Sequence, residues 1–240
     1  MTWGNRPWGR PSSWVGTPRR GGFTPRQLTN LRGWWKSDTG ITIVTGVSQW
    51  NDQSGQNNHL VQATGASQPV VTAAAINGLP AITFDGVDDF MAVSFTLAVP
   101  LTIFVVFRQV TWTSSDIVYD GNLDLRTRLA QSATTPGLVA GGSGGITLAQ
   151  NNGLAVDTFG LTTAIYNGAS SVFQVNNLTE TTGTTGSASP DGITLGARGS
   201  KAVGFGNIGV AEVIIMAAVA TAGERASVRA YSQARYGVGA

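Results

Sequence analysis

The fifteen residues from Ile76 to Phe90, INGLPAITFDGVDDF, restrict the possible folds more than any other stretch of the chain. Asn77-Gly78 is a turn pair, because both residues tolerate positive φ. Pro80 holds the backbone extended and donates no hydrogen bond, which suits the start of a strand. Ala81 to Phe84 reads as a short β run, Asp85-Gly86 as a second turn, and Phe90 to Val93 as the start of the next strand. Two turns set so closely around apolar residues describe a corner where a chain enters a β-sandwich.

The rest of the chain repeats this grammar. Short β-branched runs alternate with Gly and Asn turns, and only 12% of residues are charged, a composition that points to an all-β fold. Leu101 to Val110 (LTIFVVFRQV) is almost continuously apolar, which predicts a central, buried strand. Ile117 to Tyr119 predicts a further strand, and Leu123 to Leu129 alternates apolar and charged residues, as a strand with one wet face does. Ile41 to Asp52 predicts a hairpin turning at Thr45-Gly46, with Trp50 in the core. Asp157 to Asn167 and Ser171 to Val175 predict a second hairpin through Asn167-Gly168. Leu138 to Leu148 reads as two short strands around a glycine run. That run is no phosphate loop, since it lacks the Lys-Ser/Thr ending and leads into a strand. Asn176 to Pro190 reads as a loop, and Ile193 to Ala197 and Ile208 to Ala218 as strands. Thr221 and Glu224 form a capping box that opens a helix to about Tyr236, with Gly237 beyond its end. Thr24 to Trp35 predicts another short helix, with Thr24 as N-cap and Pro25 in the first position.

The corner resembles the NGLPA..FDG.DD signature of concanavalin A-like, laminin-G-like jelly rolls, which occur in bacterial surface proteins and phage structural proteins. Val47 to Gly55 (VSQWNDQSG) resembles the segment before that corner, and Trp34 to Asp38 the strand that opens the domain. Ala211 to Ile215 and the helix ending in Arg235-Tyr236-Gly237 resemble the family's last strand and closing helix. The resemblance covers about Leu31 to Val238. It implies a two-sheet antiparallel jelly-roll sandwich over residues 31–240, with a short C-terminal helix and an extended N-terminal arm over residues 1–30. Such a fold hosts many activities.

Charge divides along the same line. Residues 1–32 hold six arginines and no acid, whereas the remainder holds nine basic and thirteen acidic residues. The arm carries Trp3, Trp8 and Trp14 among Arg6, Arg10, Arg19 and Arg20, without periodicity and with nothing to bury as a core of its own. It reads either as a solvated tail or as a docking arm. Exposed tryptophan is costly, and Trp and Arg are the residues enriched at binding hot spots. A docking arm would order on a neighbouring subunit or on its own sandwich. Nucleic acid is disfavoured as a partner, because the arm has no lysine and its spacing fits no known module. The chain has no apolar run of ~18 residues and no apolar h-region near Met1, so neither a transmembrane helix nor a signal peptide is expected.

The chemistry-bearing residues are sparse. There is no cysteine, hence no disulfide or thiolate. Glycoside hydrolysis needs paired carboxylates, yet the three glutamates, Glu180, Glu212 and Glu224, fall in three separate elements. His59 is the only histidine and has no evident partner, and no nucleophile elbow is present. The expectation is therefore a protein that is not an enzyme, with no catalytic residues. Asp85, Asp88 and Asp89 offer oxygens to Ca²⁺, as some laminin-G-like relatives do, but the spacing is not that of an EF-hand loop. Closure of the turn by Asp85 is the preferred reading, and no metal or cofactor is expected. Trp112 and Tyr119 are candidate sugar-binding aromatics, with packing in the core or a loop as the preferred reading.

These features together predict a phage virion structural protein, a capsid decoration, spike or tail-associated module. It would dock to other virion proteins through its arm and display the jelly roll. It would assemble in the host cytoplasm, with a homo-oligomer, for instance a trimer, among the states open to it. The alternative is a carbohydrate-binding module for host-surface glycans, without catalysis.

Overall fold

A computed structural model describes residues 22–142, 147–150 and 153–240. The short runs assemble into two antiparallel sheets of eight and nine strands. The eight-stranded sheet runs β15 (Thr181–Gly183), β14 (Ser171–Val175), β13 (Phe159–Tyr166), β8 (Leu101–Gln109), β17 (Asn207–Met216), β6 (Leu79–Asp85), β5 (Val70–Ile76), with β1 (Leu31–Lys36) also beside β17. The nine-stranded sheet runs β12 (Thr147–Gln150), β11 (Leu138–Gly142), β10 (Thr127–Gln131), β9 (Ile117–Asp120), β16 (Ile193–Leu195), β7 (Met91–Val93), β4 (Leu60–Val61), β3 (Val47–Trp50), β2 (Ile41–Ile43). The result is the expected β-sandwich with one short helix, α1 (Ala222–Tyr236).

The continuous apolar character of β8 and β17 has a direct cause. Each is buried on both faces, because strand alternation sends successive side chains to opposite sides. Ile103, Val105, Phe107, Val213 and Ile215 face the second sheet, whereas Phe104, Val106, Ile214 and Met216 face the layer beneath α1. Trp34 and Trp35 divide in the same way: Trp35 enters the inner core and Trp34 the layer under the helix. One flank of β17 is shared, with Glu212 to Met216 paired to β1 and Asn207 to Val210 paired to β6. The register slips where the two meet, and the Ser37 amide donates there to the Ala211 carbonyl at 3.0 Å.

Local signals set the ends of the elements. Asn77 and Gly78 take φ of 46° and 76° in the two-residue turn that joins Ile76 to Leu79. The α1 capping box is closed: Thr221 Oγ1 accepts from the Glu224 amide at 3.2 Å, and Glu224 Oε2 accepts from the Thr221 amide at 2.8 Å. Glu224 Oε1 also accepts from Thr29 Oγ1 at 2.7 Å, which ties the segment before β1 to the helix. Gly237 ends the helix in the left-handed region, at φ 75°.

Three local expectations change. The helix predicted over Thr24 to Trp35 is one 3-10 turn, Pro25–Gln27, whose Thr24 side chain caps nothing, followed directly by β1. The two tryptophans each have an apolar layer to fill on opposite sides of a strand, and that burial outweighs the local helix signals. Leu123 to Leu129 is strand only from Thr127 onward; Leu123 is exposed and Leu125 takes φ 55°. The Asn176 to Pro190 loop contains the edge strand β15. Residues 1–21 lie outside the described residues, and with them Trp3, Arg6, Trp8, Arg10, Trp14, Arg19 and Arg20. Leu28, with Phe23 against it, joins the layer under α1. Among the described residues no helix is long and apolar enough to cross a membrane.

Candidate functional site

Of the two nominated aromatics, Tyr119 is enclosed. It lies opposite Leu129 and Leu195 on the inner face of its strand, is 1% exposed, and has its hydroxyl 3.0 Å from that of Tyr166. The Tyr166 hydroxyl in turn donates to the Arg128 carbonyl at 2.8 Å. Burial pushes both phenols above their ordinary range. Tyr119 as a sugar plate is therefore corrected: alternation turns its ring inward, with no face left for a ligand.

Trp112 is half-buried in the loop between β8 and β9. Both of its neighbours are held by one side chain. Gln131 Oε1 accepts from the Thr113 amide and Gln131 Nε2 donates to the Thr111 carbonyl, each at 2.7 Å. Gln131 is itself buried at the C-terminal end of β10, so this clamp fixes Trp112 at that end. The opposite end of the strand begins at the buried Thr127, with Arg128 half-buried after it and Arg126 exposed in the bend just before it. Leu129 faces the inner core, so alternation places Arg128 on the outer face. Across β11 and β12, Arg128 is opposite Gly141 and Gly141 is opposite Thr147, and both Thr147 and Ala149 are exposed. The outer face of β10–β12 is thus a shelf of small side chains. Arg128 stands on this shelf, and the Gln131 clamp holds the Trp112 loop at the other end of the strand, about 10 Å farther along at ~3.3 Å per residue.

Beside the shelf, Asp120 ends β9. Its carboxylate is closed from solvent and accepts from the amides of Gly121 at 2.8 Å, Leu125 at 2.7 Å and Gly199 at 3.1 Å. Burial raises its pKa, and the three amides oppose the rise. These bonds curl residues 121–125 away from extended geometry, which is why the alternating pattern at Leu123 fails as a strand. The loops so folded carry the Arg198–Asp124 fork (3.2 and 3.0 Å) and a bond from Lys201 Nζ to Asn122 Oδ1 at 3.0 Å. The Asp120-Gly121 pair after an apolar run is a turn signal that the alternating pattern from Leu123 onward overshadows.

The Asp85–Asp89 corner brings three carboxylates together, with one oxygen of each within 4.8 Å of the others. Asp85 Oδ1 accepts from the amides of Val87 at 2.8 Å and Asp88 at 3.3 Å, so Asp85 closes its turn as expected. Asp89 Oδ2 accepts from the Asp85 amide at 3.0 Å, and Ser67 Oγ donates to Asp88 at 3.1 Å. Burial, together with the neighbouring negative charges of Asp85 and Asp88, raises Asp89 to about 6. Oxygen donors of this kind suit a hard divalent cation, but the turn bonds alone account for the geometry. His59 Nδ1 accepts from the Asp52 amide at 3.1 Å, a structural role. The three glutamates are also dispersed: Glu180 pairs with Arg225 at 3.2 Å, Glu212 is buried under α1, and Glu224 caps that helix.

No protein-family model matches the chain, and no curated protein matches it in sequence. Solved structures do share its fold. Trypanosoma rangeli sialidase in complex with sialic acid matches with a TM-score of 0.58 at 11% identity, over 86% of this chain and 33% of the sialidase. Domain 4 of AbnA, a GH43 extracellular arabinanase from Geobacillus stearothermophilus, in complex with arabinotriose, matches at 0.59 and 10% identity, over 81% of this chain and 96% of that domain. The binding domain of Paraclostridial Mosquitocidal Protein 1 matches at 0.58 and 12% identity, over 87% and 53%. The chain spans about a third of the length of the sialidase chains it matches. At these identities the likeness is one of fold, a jelly-roll-like β-sandwich. It also corrects the expectation that the chain is not an enzyme. The same sandwich is part of a sialidase and of an arabinanase, so scarce, dispersed glutamates give no ground for excluding glycoside chemistry.

Proposed function

We propose that the chain is a saccharide-recognising β-sandwich whose binding surface runs along β10, from Trp112 to Arg126. The Gln131 clamp carries this reading, because it fixes the loop of a partly exposed indole, whose Nε1 is enclosed, at the end of a strand flanked by an open shelf of small side chains. An indole offers a flat apolar face to the C–H face of a sugar ring, and nearby polar groups orient its hydroxyls. Two fold neighbours support the reading: the arabinanase domain, matched over nearly its whole length, holds arabinotriose, and the sialidase holds sialic acid. The test is titration with a panel of oligosaccharides, followed by tryptophan fluorescence. A saturable change that Trp112→Ala abolishes while circular dichroism stays unaltered is expected. Absence of saturable binding across a broad glycan array would sink the reading.

A second reading, a display module on a phage particle, is favoured by the tryptophans and arginines of residues 1–21. Light scattering on the full chain and on a chain beginning at Gly22 tests it. A larger assembly only for the full chain supports an assembly arm, and equal masses with equal stability remove that support.

A further inference from the structure

We infer that the saccharide taken by the β10 shelf is anionic, carrying a carboxylate or a sulfate, and that Arg126 and Arg128 receive the charge. This rests on the saccharide reading above and deepens it. All thirteen carboxylate side chains of the protein lie among the described residues, so the ion pairs can be followed to their ends. Arg108, Arg198, Arg225 and Arg235 each pair with a carboxylate, at 2.9, 3.0, 3.2 and 2.6 Å. Arg126 and Arg128 pair with none, nor do Arg26, Arg32 and Arg229; of these five, only Arg128 has an enclosed, unpartnered guanidinium nitrogen. The span from Leu125 to Val156, which supplies all of β10–β12, contains these two arginines and no acid. The carboxylate next along the outer face, Asp120, is fully enclosed and already accepts from three amides.

Arg128 is half-buried. Its Nε is enclosed and has no hydrogen-bond partner among the described residues. A partly desolvated guanidinium without a partner is a costly arrangement, and a planar fork of this kind is matched by a bidentate oxyanion. Arg126, two residues earlier in the bend that leads into β10, is exposed, so its long side chain is free to turn toward the same ligand. Gly141 opposite Arg128 places no side chain beside the fork.

The experiment compares matched ligands by calorimetry: trigalacturonate against its methyl ester, 6′-sialyllactose against lactose, and inorganic sulfate alone. At least one acidic saccharide is expected to bind about tenfold or more tightly than its neutral partner, a margin one charge-assisted fork supplies. That preference should shrink as salt is raised. Arg128→Gln and Arg126→Gln, each verified as folded by circular dichroism, are expected to remove most of the preference, so that an acidic saccharide and its neutral partner bind each variant with affinities within about threefold of one another. Neutral binding equal to acidic binding, or a preference untouched by either variant, overturns the inference and leaves the saccharide reading standing. No binding of any saccharide removes both. Sulfate alone binding as tightly as the acidic sugars, or a single-stranded oligonucleotide displacing them at lower concentration, overturns the inference in favour of a general anion or nucleic-acid surface.

Discussion

The two outer faces of the sandwich each bury one carboxylate, and they use it differently. Under α1, Glu212 of β17 is 1% exposed, and its Oε1 accepts from Trp34 Nε1 of β1 and from the Tyr231 hydroxyl of α1, the latter at 3.0 Å. On the opposite face Asp120 accepts only backbone amides from its own and an adjacent loop. Burial raises the pKa of both. The glutamate joins elements that are remote in sequence, and the aspartate shapes loops. The first face is apolar and covered by a helix, whereas the second is polar and keeps an open shelf. A buried acid therefore does not by itself mark a catalytic position; what donates to it tells its role.

Asp120→Ala should have the largest effect. It leaves three amides unpaired at about 1–3 kcal/mol each, so a loss above ~3 kcal/mol is expected in urea denaturation. A loss under ~1 kcal/mol would mean that the loops hold themselves. Glu212→Ala strands two side-chain donors and is expected to cost about 2–4 kcal/mol, with Glu212→Gln milder. Its pKa is raised in the folded state, so the protonated form favours folding. That contribution is complete below the ordinary glutamate range and is lost as pH rises through the raised value. The urea midpoint should therefore fall over that window in the parent and less so in Glu212→Gln; parallel profiles would show that Glu212 does not titrate with folding. Thr221→Ala removes one half of the capping box and should cost about 1 kcal/mol, with hydrogen exchange quickening in the first turn of α1. Arg198→Ala breaks a partly exposed fork on the loops that Asp120 folds and should cost under about 1 kcal/mol. A larger loss would make those loops depend on the ion pair more than on the buried carboxylate.

Much of the sandwich was legible because its signals are local or periodic. The apolar run of β8, the Asn77-Gly78 turn and the Thr221–Glu224 capping box each fix their element without distant help. Features that depend on remote partners were not legible. The Trp34-Trp35 pair reads as the end of a helix until two layers on opposite sides of β1 exist to receive it. Leu123 to Leu129 reads as a strand until the Asp120 carboxylate claims the Leu125 amide. Of the site, Trp112 was visible as a loop aromatic. The Gln131 clamp was not, because it joins residues 18 and 20 positions apart through a side chain with no sequence signature. Tyr119 could be named as a sugar-binding candidate beside the preferred core reading because its burial follows from the register of β9 against β10 and β16, which composition does not carry.

The divided flank of β17 has a kinetic consequence. This strand must hold β1 and β6 side by side along one edge, and contacts such as Arg235 with Asp38 close over 197 residues. Pairing across such spans is slow, on the order of milliseconds to seconds for β-rich domains. Until β17 arrives, β1 and β6 present bare edges to solvent, each open to pairing with the wrong strand. The nine-stranded sheet draws no strand from beyond Leu195. Its pairing, the shelf along β10 included, therefore does not wait for β17.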